Sequence, residues 1–185
     1  MVFTSPLRRT LETTKRLFEN HPNQPKIQVL PEIREIIVDA GDVPYPWTGE
    51  LEKAYPNYDF SRLNKLEEKK PLWFVEVMEE PLKERINGLI DQSDPATLPS
   101  DVIIDEMMRI APAHLESPHG VMERALKVRK FLKEQASRLR DGEKIAVVAH
   151  SDFITFLIAE EFDAEEKPLK TKHLTNCEFY EYKLE

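Results

Sequence analysis

The sequence predicts an α/β fold, a sandwich around a largely parallel sheet. Segments of strand character alternate with segments of helical periodicity along the chain. The best strand, Lys144-Ile145-Ala146-Val147-Val148-Ala149, is a continuous apolar run, the pattern of a buried parallel strand. Two strand ends, at Thr4-Ser5-Pro6 and Ala149-His150-Ser151, pass straight into residues that open helices.

Each element has its own signal. Val2-Phe3-Thr4 is a short β-type run. Ser5 is placed to cap a helix, and Pro6 to fill its first position, where a missing N–H costs nothing. Leu7, Leu11, Thr14 and Phe18 recur at helical spacing, which predicts a helix from about Pro6 to Asn20. His21-Pro22-Asn23-Gln24-Pro25 ends it. Ile27-Gln28-Val29-Leu30 alternates as a strand. From Pro31 to Pro81, turn formers such as Asp39, Gly41, Asp42 and Pro44 mix with Tyr45, Trp47, Tyr55, Tyr58, Trp73 and Phe74. That mixture predicts an insertion or lid over about 38–100, with short helices inside it and aromatics used mainly for packing. Pro81 to Ile90 suits one helix, 91–99 is a loop, and 101–114 has no clear period. Val121, Ala125, Val128, Phe131, Leu132 and Leu139 mark a long helix after Gly120, closed by Asp141-Gly142. Ser151-Asp152 is placed to cap a helix from Phe153 to about Glu161, and Cys177 to Leu184 is predicted as the last strand.

With 185 residues, 41% of them hydrophobic and 32% charged, the chain suits one domain with its own core. A net charge of −8 argues against generic contact with a nucleic-acid backbone. It leaves room for a small anion, because a local basic pocket can sit in an acidic protein. No apolar run is long enough to cross a bilayer, and no basic-then-apolar leader opens the sequence. The single cysteine, Cys177, has no internal disulfide partner, which favours a reducing, cytoplasmic setting. No Cys/His spacing suggests zinc and no glycine-rich loop suggests a nucleotide, so neither a metal nor a cofactor is expected.

In open α/β sheets, ligands bind beyond the carboxyl ends of the strands, where both strand-to-helix junctions belong. A helix N-terminus favours an anion. Arg8 and Arg9 instead bring positive charge to the first turn of a helix. A bound phosphate would explain such a cation, through a bidentate fork; a solvated helix arginine is the plain alternative. His150 is either a core histidine with its hydrogen bonds satisfied or a ligand group. Glu32 and Glu35 lie among many acidic residues, and a surface role is open for both. His114, His119 and His173 read as structural or exposed, and His21 as a helix C-terminal cap.

Ser5-Pro6-Leu7-Arg8-Arg9-Thr10-Leu11-Glu12-Thr13-Thr14 resembles the second signature of the histidine phosphatase (phosphoglycerate-mutase-like) superfamily, a Ser-x-Leu-x-Arg-Ala-x-Gln-Thr run after a strand. Val147-Val148-Ala149-His150-Ser151 resembles that family's apolar strand ending in His-Gly. Leu30-Pro31-Glu32-Ile33-Arg34-Glu35-Ile36 resembles its proton-donor segment, and Asn176 to Tyr182 its final strand. The fungal and plant branch is the most similar. The resemblance implies a single three-layer sandwich domain over 1–185, with Arg9 gripping a phosphoryl group and Ser5, Arg8 and Ser151 beside it. It implies His150 as the second phosphate-site histidine and Glu35 as proton donor, with Glu32 the second choice. The implied partner is a small phosphorylated molecule or inorganic phosphate.

Two positions depart from the pattern. Ser151 replaces a glycine, which still leaves a backbone N–H. More seriously, no Arg-His-Gly triplet occurs in the sequence, and only Met1 to Thr4 precede Ser5. In the family that triplet carries the nucleophilic histidine and ends a central strand. A sequence that opens inside a strand suggests a segment upstream of Met1. The expectation is that phosphate binding persists in these residues while turnover through a phosphohistidine is lost or impaired. His119, in Ser117-Pro118-His119-Gly120, is not expected to replace the nucleophile. A non-catalytic phosphate-binding protein and a scaffold reused for acid–base chemistry by His150 and Glu35 are the other readings. A sheet lacking a central strand should also expose an edge or groove, which a homodimer or swapped strand would cover.

Overall fold

The computed structural model describes residues 1–38, 40–44, 48–68, 73–74, 80, 82–91, 102, 105, 109 and 116–183. The chain runs β1 (Val2–Thr4), α1 (Arg8–Phe18), β2 (Ile27–Val29), α2 (Thr48–Ala54), β3 (Tyr58–Asp59), α3 (Ser61–Glu67), α4 (Leu82–Asp91), α5 (Pro118–Ala136), β4 (Ala146–Val148), α6 (Ser151–Leu157), β5 (Glu161–Phe162) and β6 (Pro168–Leu169). Two 3-10 turns, Pro31–Ile33 and Ala40–Asp42, lie between β2 and α2.

β1 to β4 form one parallel sheet in the order β3-β2-β1-β4; β5 and β6 pair separately and antiparallel. β1 is central: Val2 lies between Ile27 and Ala146, and Thr4 between Val29 and Val148. The pleat sends alternate side chains to opposite faces. Phe3 packs edge-on against Phe131 of α5, ring centroids 5.2 Å apart. Thr4 faces the other way, its hydroxyl 2.7 Å from that of Thr14 in α1. Helices therefore cover both faces, an α/β arrangement compatible with three layers. Phe3, Leu30, Ile33, Val121, Ala125, Val128, Leu132, Phe153 and Leu157 form the core between the sheet and the α5–α6 pair.

Several boundaries differ from the sequence reading for physical reasons. α1 starts at Arg8 rather than Pro6, and Leu7 precedes it without a side-chain cap. The Ser5 hydroxyl meets His150 Nε2 at 2.8 Å and accepts the Leu7 N–H at 3.4 Å, one residue ahead of the helix. α5 starts at Pro118, two residues before Gly120. Ser117 is its N-cap, and the Ser117 hydroxyl accepts from the Gly120 N–H at 3.1 Å. Ser117→Ala should cost about 1 kcal/mol, read as a lower urea midpoint at unchanged slope. α6 ends at Leu157. β4 is half-buried rather than enclosed, because it is an edge strand. Residues 177–183 form no strand; Cys177 takes a left-handed φ of 61°, which breaks the extended run.

The segment predicted as an insertion holds the helices α2, α3 and α4. Leu51, Phe60, Leu63, Trp73 and Phe74 are buried there, a packing role for Trp73 and Phe74 among the aromatics the sequence singled out. Tyr45, Trp47, the loop at 92–99 and most of 101–114 lie outside the described residues.

Candidate functional site

The connection from β1 through α1 leads to β2, on one side, while the chain returns through α5 to β4 on the other side of β1. The carboxyl ends of β1 and β4 thus flank the point where strand order reverses, where open sheets leave a crevice. Ser5 and His150 stand at those two ends, and the Ser5 N–H extends the ladder to Val148 O at 3.0 Å.

Three side chains converge on the His150 ring. Its Nε2 lies 2.8 Å from the Ser5 hydroxyl oxygen. The Nε–H of Arg9, from the first turn of α1, donates to Nδ1 at 3.2 Å. A Glu35 carboxylate oxygen stands 3.8 Å from Nδ1. Because a guanidinium only donates, Nδ1 must accept, and the ring proton belongs on Nε2, directed at Ser5. Ser5 and His150 are both buried. Burial, then the positive charges of Arg9 and Arg124, lower the His150 imidazole to about 3, so it is neutral at physiological pH.

Glu35 is the carboxylate beside the His150 ring. Its Oε1 accepts N–H bonds from Ile36 at 2.9 Å and from Phe153 at 3.2 Å, so it caps α6. Burial nevertheless pushes this carboxyl above its usual range, and Asp152 and Asp42 add to that against the two N–H bonds. The segment carrying Glu35 is pinned from behind. Arg34 forms a bidentate pair with Glu116 at 2.7 and 2.9 Å, and also donates to Glu35 O at 3.0 Å. Arg124 of α5 donates to the Glu116 carboxylate and to the carbonyls of Glu32 and Arg34.

The remaining two guanidinium nitrogens of Arg9 hold Gly41 O at 2.8 Å and an Asp42 carboxylate oxygen at 3.0 Å. The Arg9 side chain is still 48% exposed. It borders a cavity of about 540 Å³ that also touches Glu35, Val147, His150, Ser151 and Phe179.

The structure therefore brings together Ser5, Arg9, Glu35 and His150. Ser151 borders the same cavity, its hydroxyl donating to Leu174 O. Arg8 is not brought in: it is exposed, and its charge acts on Glu50 and Tyr55. Glu32 pairs with Arg62. His119 pairs with Glu166 at 2.7 Å on the surface. Sequence reasoning missed Gly41 and Asp42 as partners of Arg9, and it missed the Arg34–Glu116–Arg124 cluster. In the sequence, Gly41 and Asp42 read only as turn formers.

No family model, no curated protein and no solved structure matches the chain. Among the described residues, no three His, Cys, Asp or Glu side chains are grouped to hold a metal ion. Among the same residues, no helix is long and apolar enough to cross a membrane.

Proposed function

We propose that this chain binds phosphate or a phosphomonoester at Arg9 and His150, as a histidine-phosphatase-type domain whose own residues bind rather than turn over the ligand. The observation that carries the proposal is the state of Arg9. Two of its nitrogens face a carbonyl and a carboxylate oxygen, the double acceptance that two phosphate oxygens supply. Asp42 thus stands where a phosphate oxygen would, on a partly exposed arginine beside a neutral histidine. Binding replaces Asp42 by a ligand of higher charge, and Glu35 lies beside the same histidine, 3.8 Å from its Nδ1.

Covalent phosphoryl transfer needs a ring nitrogen with a free lone pair. In His150, Nδ1 accepts from Arg9 and Nε2 carries the proton. Phosphohistidine chemistry would need a nucleophile other than this ring.

Calorimetric titration with inorganic phosphate tests the reading. Arg9→Ala should weaken binding tenfold or more, since hydrogen bonds to a charged group are worth about 1.5–3 kcal/mol. Asp42→Asn should strengthen binding by removing the internal competitor. Binding unchanged in Arg9→Ala would refute the site. Hydrolysis of an aryl phosphate, abolished by His150→Ala, would replace the binding reading with an enzymatic one.

A further inference from the structure

Among the described residues, β4 is an edge strand with one side used. Ala146 N–H donates to Met1 O and Val148 O accepts from Ser5 N–H, both at 3.0 Å, towards β1. Val147 and Ala149 alternate with these and point their main-chain groups the other way. Among the described residues, the N–H and C=O groups of Val147 and Ala149 have no hydrogen-bond partner. They adjoin the cavity of about 540 Å³ described above. Thr13 and Leu17 of α1 wall it on one side and Cys177 and Phe179 on another. Leu17 and Phe179 are exposed, Phe179 to 80%. Arg9 and His150 line the same cavity.

These features ask three things of an occupant. It must offer main-chain donors and acceptors at a spacing of two residues, to match Val147 and Ala149. It must offer apolar side chains, to cover Leu17 and Phe179. It must carry an anion that reaches Arg9. Inorganic phosphate or a small phosphorylated metabolite meets only the last. An extended peptide bearing a phosphate meets all three, as in recognition by strand addition to an open sheet edge.

We propose that the groove takes an extended phosphopeptide as a fifth strand beside β4, with its phosphorylated side chain at Arg9. This inference rests on the phosphate reading of Arg9 and His150 and names its ligand class. The main chain of β4 supplies affinity without reading sequence, and the Arg9 site supplies dependence on the phosphate. Such docking also covers the edge that would otherwise pair with other chains.

Fluorescence anisotropy tests it with labelled heptapeptides of alternating valine and threonine. Phosphoserine is placed at one end or the other, because an open edge accepts either strand direction. The controls are the same peptides with serine, and inorganic phosphate as competitor. One phosphopeptide should bind at least tenfold more tightly than both its serine counterpart and inorganic phosphate. Val147→Pro removes an outward N–H and should weaken the peptide tenfold while phosphate affinity is unchanged. Phe179→Ser, at an exposed position outside any strand, should act in the same direction and covers the case in which Val147→Pro fails to fold.

If phosphate binds but neither phosphopeptide binds more tightly than phosphate, the groove proposal is overturned and the Arg9 site stands. If neither phosphate nor phosphopeptide binds, the phosphate reading fails and this inference with it. If the serine peptides bind equally well, the link to Arg9 is refuted. A dimer in sedimentation that Phe179→Ser dissociates would make the occupant a second copy of this chain and overturn the peptide assignment.

Discussion

Glu116→Ala lowers the stability of this fold by about 3–5 kcal/mol, the loss typical of breaking a buried ion pair from one side. Glu116 is a carboxylate shared by two guanidiniums, Arg34 and Arg124, and all three residues are buried. Removing it takes away the carboxylate that both buried guanidiniums share. It also strips the Ile37 N–H of its acceptor, 3.2 Å away. In a domain of this size such a loss lowers the melting temperature by about 6–20 °C. Replacing all three residues by apolar side chains of similar volume should cost far less, because no charge is then stranded. The contrast between the single and the triple variant is the measurement. Equal losses would mean that packing, not charge pairing, dominates here.

The pair also has a pH signature. The Glu116 carboxyl is held below its ordinary value of 4.5 because Arg34 and Arg124 outweigh its burial. Its contribution is therefore complete above that ordinary value and is lost as pH falls through the lower folded value. For function, the cluster acts on position. It clamps Arg34 and Ile37, on either side of Glu35, so Glu116→Ala should loosen the carboxylate that caps α6 and faces His150.

What was legible in the sequence was local. The β1 run, the helix behind it and the strand before His150 each follow from short patterns, and the strand-to-helix junctions single out Ser5, Arg9 and His150. What was not legible depends on partners distant in sequence. An apolar run such as 144–149 reads the same in the centre of a sheet as at its edge. Only the pairing of β4 with β1, at opposite ends of the chain, places it. Arg34 sits 82 residues from Glu116, and Arg124 sits 90 residues from the Arg34 carbonyl it binds. Nothing in their neighbourhoods distinguishes them from surface arginines. Ser5 reads as a helix cap because serine usually is one there; its hydroxyl accepts only the Leu7 N–H ahead of the helix and also meets a histidine 145 residues away. The alternating Tyr180 and Tyr182 suggest a strand, yet Tyr180 remains exposed, as does Phe179.

His150 makes the fold acid-labile in a window that carboxylates do not explain. The imidazole titrates near 6.5 in the unfolded chain and near 3 in the folded one. Between those values the unfolded state binds more protons, so stability rises with pH and is complete above about 6.5. Falling from pH 7 to pH 5 should remove about 2 kcal/mol through this one group. Urea midpoints at the two pH values check this, with His150→Gln as the non-titrating control. The control should lose much less over the same interval. An equal loss would assign the acid sensitivity to other groups. Arg9 is the second cause of the depression, after burial. Arg9→Ala should therefore raise the imidazole above 3 but leave it below 6.5, visible in the pH dependence of its ring C–H resonances. Phosphate at the site should raise it as well, because a negative charge beside the ring favours the protonated form. An imidazole titration unmoved by saturating phosphate would place the anion somewhere other than His150.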